Sequence, residues 1–243
     1  MRMYAFMGRN TKEILRDPIN LAFGLGFPLA LILLLSAIQA NVPVSLFEIQ
    51  HLTPGIAIFG LSFLTLFSAT IISRDRTSAL LQRLYTTPMT ALDFILGYTL
   101  PIIPIAVLQS VFCFIAAIVL GLEITVNILL AVIFIIPCSL LYIALGLLCG
   151  SVLNDKQVGG ICGALLTNLS AWLSGVWFDL ELVGGAFKKI AYALPFVHCV
   201  DIQRAVLRGN IADIFPHLWW VFGYGIVILV AAVLLFLRQM KNQ

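Results

Sequence analysis

Residues 74–93 read RDRTSALLQRLYTTPMTALD, a polar connection set between two apolar runs of membrane length. Leu80, Leu81, Leu84 and Tyr85 recur at the i, i+1, i+4 and i+5 positions of one helical face, while Arg76, Gln82, Arg83 and Thr86 fall elsewhere. The spacing predicts a short amphipathic helix. Thr86, Thr87 and Pro88 then end it, because proline removes a backbone donor and steers the preceding residue away from helical angles. Such a helix can dock into a groove on a separate soluble partner or lie flat on lipid headgroups, and this stretch alone leaves both readings open.

Outward from that connection the composition sets the class. Of 243 residues, 61% are hydrophobic and only 10% charged, too few polar side chains to cover a soluble globule of this size. The fold class expected is therefore an all-α membrane protein. A formal charge of +3 is too small to imply nucleic acid. The five cysteines show no Cys-x-x-Cys spacing and read as small buried hydrophobes. The first apolar run is about 20 residues long with no small-x-small cleavage site after it, so it is expected to remain as a span.

Six spans are predicted, at Ile19–Ile38, Pro54–Ser73, Phe94–Leu120, Val126–Gly150, Val158–Phe178 and Leu218–Leu237. Residues 1–17, basic and apolar on opposite faces, predict an interfacial helix. Pro101 and Pro104 should kink the third span. In the second span Ser62, Thr65 and Ser68 recur every third residue, a stripe suited to helix packing or to a substrate path. The fifth opens with Gly159-x-x-x-Gly163 for close packing and continues through Thr167, Asn168 and Ser174, candidates for a subunit interface or the same path. Between the last two spans, Ile190–Val200 is apolar but too short to cross about 30 Å of hydrocarbon, and Pro195 interrupts it. With Asp201 and Arg204 beyond it, this predicts a re-entrant segment acting as an external gate, a plain amphipathic surface loop being the alternative.

Ten Lys and Arg lie on the side shared by both termini (Arg2, Arg9, Lys12, Arg16, Arg74, Arg76, Arg83, Lys156, Arg238, Lys241), against Lys188, Lys189, Arg204 and Arg208 on the other. That bias puts both termini in the cytoplasm. No Gly-x-x-x-x-Gly-Lys-Ser/Thr loop occurs, so ATP energy would have to come from another chain. The predicted spans hold no Asp, Glu, Lys, Arg or His, which disfavours a proton- or ion-coupled carrier. No catalytic constellation stands out. His51, His198 and His217 have no metal-ligand spacing, and they read as separate surface histidines with no metal site expected.

Three local patterns resemble the ABC-2 type transporter permeases, membrane subunits of bacterial exporters of drugs, antibiotics and lantibiotics. They are R-x-x-K-E-I-L-R-D-P at Arg9–Pro18, SRDRTSALLQRLYTTPMTALDFILG at Ser73–Gly97, and LPFVHCVDIQRAVLRGN at Leu194–Asn210. Arg74-Asp75-Arg76 stands where that family usually has Glu-Arg-Glu, and Ser78 where it has Gly. The resemblance implies a bacterial cytoplasmic-membrane exporter of two permeases, either two copies or a sister pair, with two ABC-type ATPase subunits. ATP and Mg would belong to that partner and no cofactor to this chain. Arg76, Leu80, Leu81, Leu84 and Tyr85 would contact the ATPase, and a hydrophobic or amphipathic compound would be the cargo. The alternative class is a non-transporting assembly or immunity protein, or an ATP-independent channel.

Overall fold

The computed structural model describes residues 2–42, 47–78 and 90–241. Every regular element among them is a helix. Five are long and apolar enough to cross a membrane: Pro18–Gln39 (span 1), Ile49–Thr77 (span 2), Leu92–Val119 (span 3), Val126–Val152 (span 4) and Ile211–Phe236 (span 6). The pair Gly185–Ala193 and Pro195–Leu207, bent by 82°, makes a sixth only if counted as one span.

Contacts show where the remaining crossing lies. Residues 155–173 form one continuous helical path, Asp155–Val158, Gly159–Leu166 and Thr167–Leu173, the middle piece wound as a π-helix. Asp155 faces Arg74 at one end of span 2, while Val176, just past the path, sits against Gly55 near the other end. This is span 5, and 19 residues at 1.5 Å rise give about 28 Å, close to the hydrocarbon thickness. Its hydropathy is diluted by Asp155, Lys156, Gln157 and Asn168. The bent pair, by contrast, begins and ends at the Gly55 end: Phe187, early in its first helix, packs on Phe178, two residues past Val176 (ring centroids 6.0 Å), while in the last turn of its second helix Arg204 donates to the Gly175 carbonyl (2.9 Å) and Asn127, at the start of span 4, donates to the Leu207 carbonyl (3.2 Å). It is a re-entrant hairpin, broken where Leu194 turns extended before Pro195.

Some boundaries differ from the sequence expectation. Span 2 starts at Ile49, so Pro54 sits within its second turn, and it continues through Arg74, Asp75 and Arg76 to Thr77. Span 5 stops at Leu173, short of Phe178, because Ser174 and Gly175 (φ +68°) reverse the chain. Span 3 is interrupted between Thr99 and Ile103, where Pro101 falls, and Pro104 sits in the first turn of the helix that resumes at Ile103, where a missing N–H costs nothing.

Span 2 is the central post, 94% buried over its most apolar window, against 22% for span 1 and 11% for span 6. Its main partner is span 4. Thr65 donates to the Tyr142 carbonyl (2.8 Å) and Ser68 to that of Ile143 (3.4 Å). A Cβ on Gly146 would lie 2.6 Å from the Thr65 carbonyl oxygen, and one on Gly150 2.8 Å from that of Ala69. Gly146-x-x-x-Gly150 is thus the close-packing pair within this chain. Gly159 has nothing near its missing side chain and Gly163 only ordinary contact with Leu66. Thr65→Val keeps the shape and removes one interhelical bond. It should cost about 0.6–1 kcal/mol, read as a small fall in the unfolding midpoint of the purified protein.

Candidate functional site: a charged hub at the end of span 2

Three consecutive residues end span 2, and each is tied to different elements. Arg74, half exposed, faces Asp17 at the start of span 1 (3.7 Å) and Asp155 at the start of span 5 (3.5 Å). Solvated pairs at these distances fix orientation more than they stabilise. Arg76 donates to the carbonyls of Gly150 (2.7 Å) and Leu153 (3.3 Å). It thereby satisfies acceptors that the end of span 4 leaves free.

Asp75 is only 2% exposed, and it is the anchor. Both its oxygens accept from the Arg9 guanidinium (2.5 and 2.7 Å), and the Tyr98 hydroxyl donates to one of them (2.9 Å). A bidentate guanidinium pair with a further donor is among the few arrangements that can hold a carboxylate away from water. Arg9 also meets Glu13 one turn on (2.5 Å). There burial outweighs the pull of Arg9 and raises the Glu13 carboxyl above its ordinary range.

Arg9 belongs to the N-terminal helix Arg2–Leu15, which turns its Phe6, Asn10 and Ile14 face inward. Phe6 makes edge contacts with Phe94 and Tyr98, ring centroids 5.7 and 5.0 Å away. Asn10, fully buried, donates to the Gly97 carbonyl (2.9 Å). Any side chain at Gly97 would occupy the place of the Phe6 ring, 2.3 Å from it. The helix expected at the headgroups is therefore clamped onto the start of span 3.

Of the five expected ATPase-contact residues, only Arg76 is described, and its guanidinium turns inward to span 4. Leu80, Leu81, Leu84 and Tyr85 lie outside the described residues. Arg76 and Thr77 continue the span 2 helix, and Ser78 after them is extended (ψ 156°). Ser62, Thr65 and Ser68 are buried; Thr65 and Ser68 bond to span 4, and Ser62 to the Phe59 carbonyl of its own helix. Thr167 and Ser174 bond within span 5, and Asn168 lies exposed on its outer face, donating to the Ala164 carbonyl. Pro195 begins the second hairpin helix, with Asp201 and Arg204 on that helix.

Sequence reading missed several polar groups. Asp75 and Asn10 were hidden in segments that read as solvated. Gln109 and Gln203, both fully buried, donate to the Ala57 and Ala131 carbonyls, and an amide inside an apolar run was the available signal. His198 and His217, expected to be separate, have Nδ1 atoms 2.8 Å apart, and the 19 residues between them gave no hint. No group of three or more metal-ligating side chains is found among the described residues.

The fold is a multi-pass helical membrane domain with a re-entrant hairpin at one end and a charged hub at the other. The family model for ABC-2 type transporters matches residues 1–207, and the chain belongs to that family. It is a multi-pass ABC-2 transporter membrane protein, of a permease family lacking an ATPase domain. A search of curated proteins gave no match.

Proposed function

We propose that this chain is the permease subunit of an ATP-driven exporter that moves a hydrophobic or amphipathic compound out across a bacterial cytoplasmic membrane. A separate ABC-type ATPase, carrying ATP and Mg, would drive it, and a second copy or sister permease would complete the path. The observation that carries this reading is the hub: one helix end gathers the N-terminal helix and spans 1, 3, 4 and 5 immediately before the leucine-bearing segment 79–89. A push on that segment would reach five elements at once.

Coupling then works by differential affinity. ATP favours the closed ATPase dimer, and a permease joined to it through Leu80, Leu81, Leu84 and Tyr85 favours whichever arrangement fits that dimer. Gly159, Gly160 and Asn168, exposed on the outer face of span 5, suit the contact with a second permease, since small residues and an amide are what close helix association in lipid uses. The hairpin, with Pro195, Asp201 and Arg204, would cap the path at the far end.

The test is reconstitution with the cognate ATPase. Leu81→Asp with Leu84→Asp should abolish co-purification and leave the ATPase at its uncoupled rate, while the permease still inserts and stays monodisperse. Retained association in that double variant would overturn the docking role.

A further inference from the structure

At the end opposite the hub, a cavity of about 190 Å³ opens between the hairpin and the start of span 6, lined by Asp201, Arg208, Asn210, Asp213, Pro216 and His217. Pro216 also lines an open groove of about 450 Å³ that descends the outer face of span 6 past Trp219, Trp220 and Tyr224 to Val227. The upper chamber holds both signs of charge, and the groove below it is almost wholly apolar. The groove wall is braced, because Trp220 stacks on His198 (5.0 Å, 13°) and on Tyr224 (6.0 Å), whose hydroxyl donates to the Ala193 carbonyl.

Asp201 shows what the chamber lacks. Its side chain is 21% exposed, yet no hydrogen bond reaches its carboxylate among the described residues, and its closest ion-pair contact, His217, is 4.0 Å away. Nor is the His217 proton free to approach. His198 Nε2 lies 3.0 Å from the Tyr192 carbonyl, which only accepts, so Nε2 carries the His198 proton and Nδ1 is left bare. The proton between the two Nδ1 atoms, 2.8 Å apart, is therefore supplied by His217 and directed at His198. A largely buried carboxylate without donors calls for N–H groups from outside the chain. Arg208, about two turns further on, and Asn210, past the helix end, are both exposed; Arg208 Nε donates to the Arg204 carbonyl (3.3 Å) and Asn210 Nδ2 to Asp213 (2.5 Å), and the terminal guanidinium nitrogens of Arg208 and the second amide N–H of Asn210 present donors to an anion.

We propose that this composite cleft binds a phospholipid with a primary-amine headgroup from the adjoining leaflet. The ammonium donates to Asp201, with Asp213 beside it, the phosphate meets Arg208 and Asn210, and one acyl chain lies in the Trp219–Val227 groove. Membrane lipid is the fitting occupant because Trp219 and Trp220, 74% and 46% exposed, stand where interfacial tryptophans sit, directly below the charged chamber. The need for donors separates an aminoethyl headgroup from choline, which carries the same charge but no N–H.

The experiment uses the full-length protein with Trp172→Phe and Trp177→Phe, in vesicles containing bromo-acyl phosphatidylethanolamine, phosphatidylcholine or phosphatidylglycerol. Quenching of Trp219 and Trp220 should reach its midpoint at about tenfold lower mole fraction for the ethanolamine lipid than for the other two, the lower end of what one charge-assisted hydrogen bond supplies. Asp201→Asn should close that gap. Arg208→Gln should weaken all three lipids alike and leave the ethanolamine-to-choline ratio unchanged, which tests the site even if Asp201→Asn fails to fold. Equal midpoints for ethanolamine and choline lipids in the parent, or a gap surviving Asp201→Asn, would overturn the proposal. Loss of the preference in the presence of soluble phosphoethanolamine would overturn the lipid assignment in favour of a free aminophosphate.

Discussion

Arg9→Ala is expected to destabilise the protein by about 3 kcal/mol, well beyond what a surface charge contributes, because it strands a carboxylate that water cannot reach. Asp75 is 2% exposed and keeps only the Tyr98 hydroxyl when the guanidinium is gone. The reverse change is milder. Arg9 is 37% exposed and can turn to water and to Glu13, so Asp75→Asn should cost about 1 kcal/mol. Joining Arg9→Ala with Asp75→Asn should restore most of the loss, a coupling that a double-mutant cycle on thermal midpoints in one detergent measures directly. Additive single effects would show that this pair does not hold the hub together.

Gly146→Leu should abolish the folded state outright. The Cβ alone would fall 2.5 Å from that of Ser68 and 2.6 Å from the Thr65 carbonyl oxygen, and backbone cannot swing aside as a side chain can. Gly146→Ala already forces the two central helices apart, at about 1–3 kcal/mol, and breaks the Thr65 bond to Tyr142 by the same displacement. Gly159→Ala makes the contrast, since a methyl there meets nothing within 4 Å. Its monomer should be as stable as the parent or more so, given alanine's advantage in a helix of about 1 kcal/mol. Size-exclusion profiles and melting of the three variants check the ranking. If Gly159→Ala lowers the dimer fraction while sparing the monomer, it also supports the second-permease contact at span 5.

The spans were legible because a bilayer imposes length and composition, and the prolines of span 3 and the short apolar run at Ile190–Val200 announced their irregularities. Which glycine pair mattered was not. Gly146-x-x-x-Gly150 and Gly159-x-x-x-Gly163 read alike, and only their placement shows that the first pair faces span 2. The hub was hidden for a different reason. A carboxylate between two arginines at the end of an apolar run looks solvated, and its partners Arg9 and Tyr98 come from helices on either side of it in the sequence. His198 and His217 were masked in the same way, each on its own helix. Residues that close a distance across the bundle leave no periodic trace along the chain.

The clamp at Gly97 also bears on how the chain is made. Asn10 is translated long before the carbonyl it will meet, 87 residues downstream. At about 5–20 residues per second, the N-terminal helix waits on the order of ten seconds for its seat to emerge. During that interval its Phe6 and Ile14 face has no protein to cover it, and the bilayer surface is the nearest apolar refuge. The amphipathic pattern of the first residues thus serves the nascent chain as a temporary mooring before it serves the finished protein as a latch.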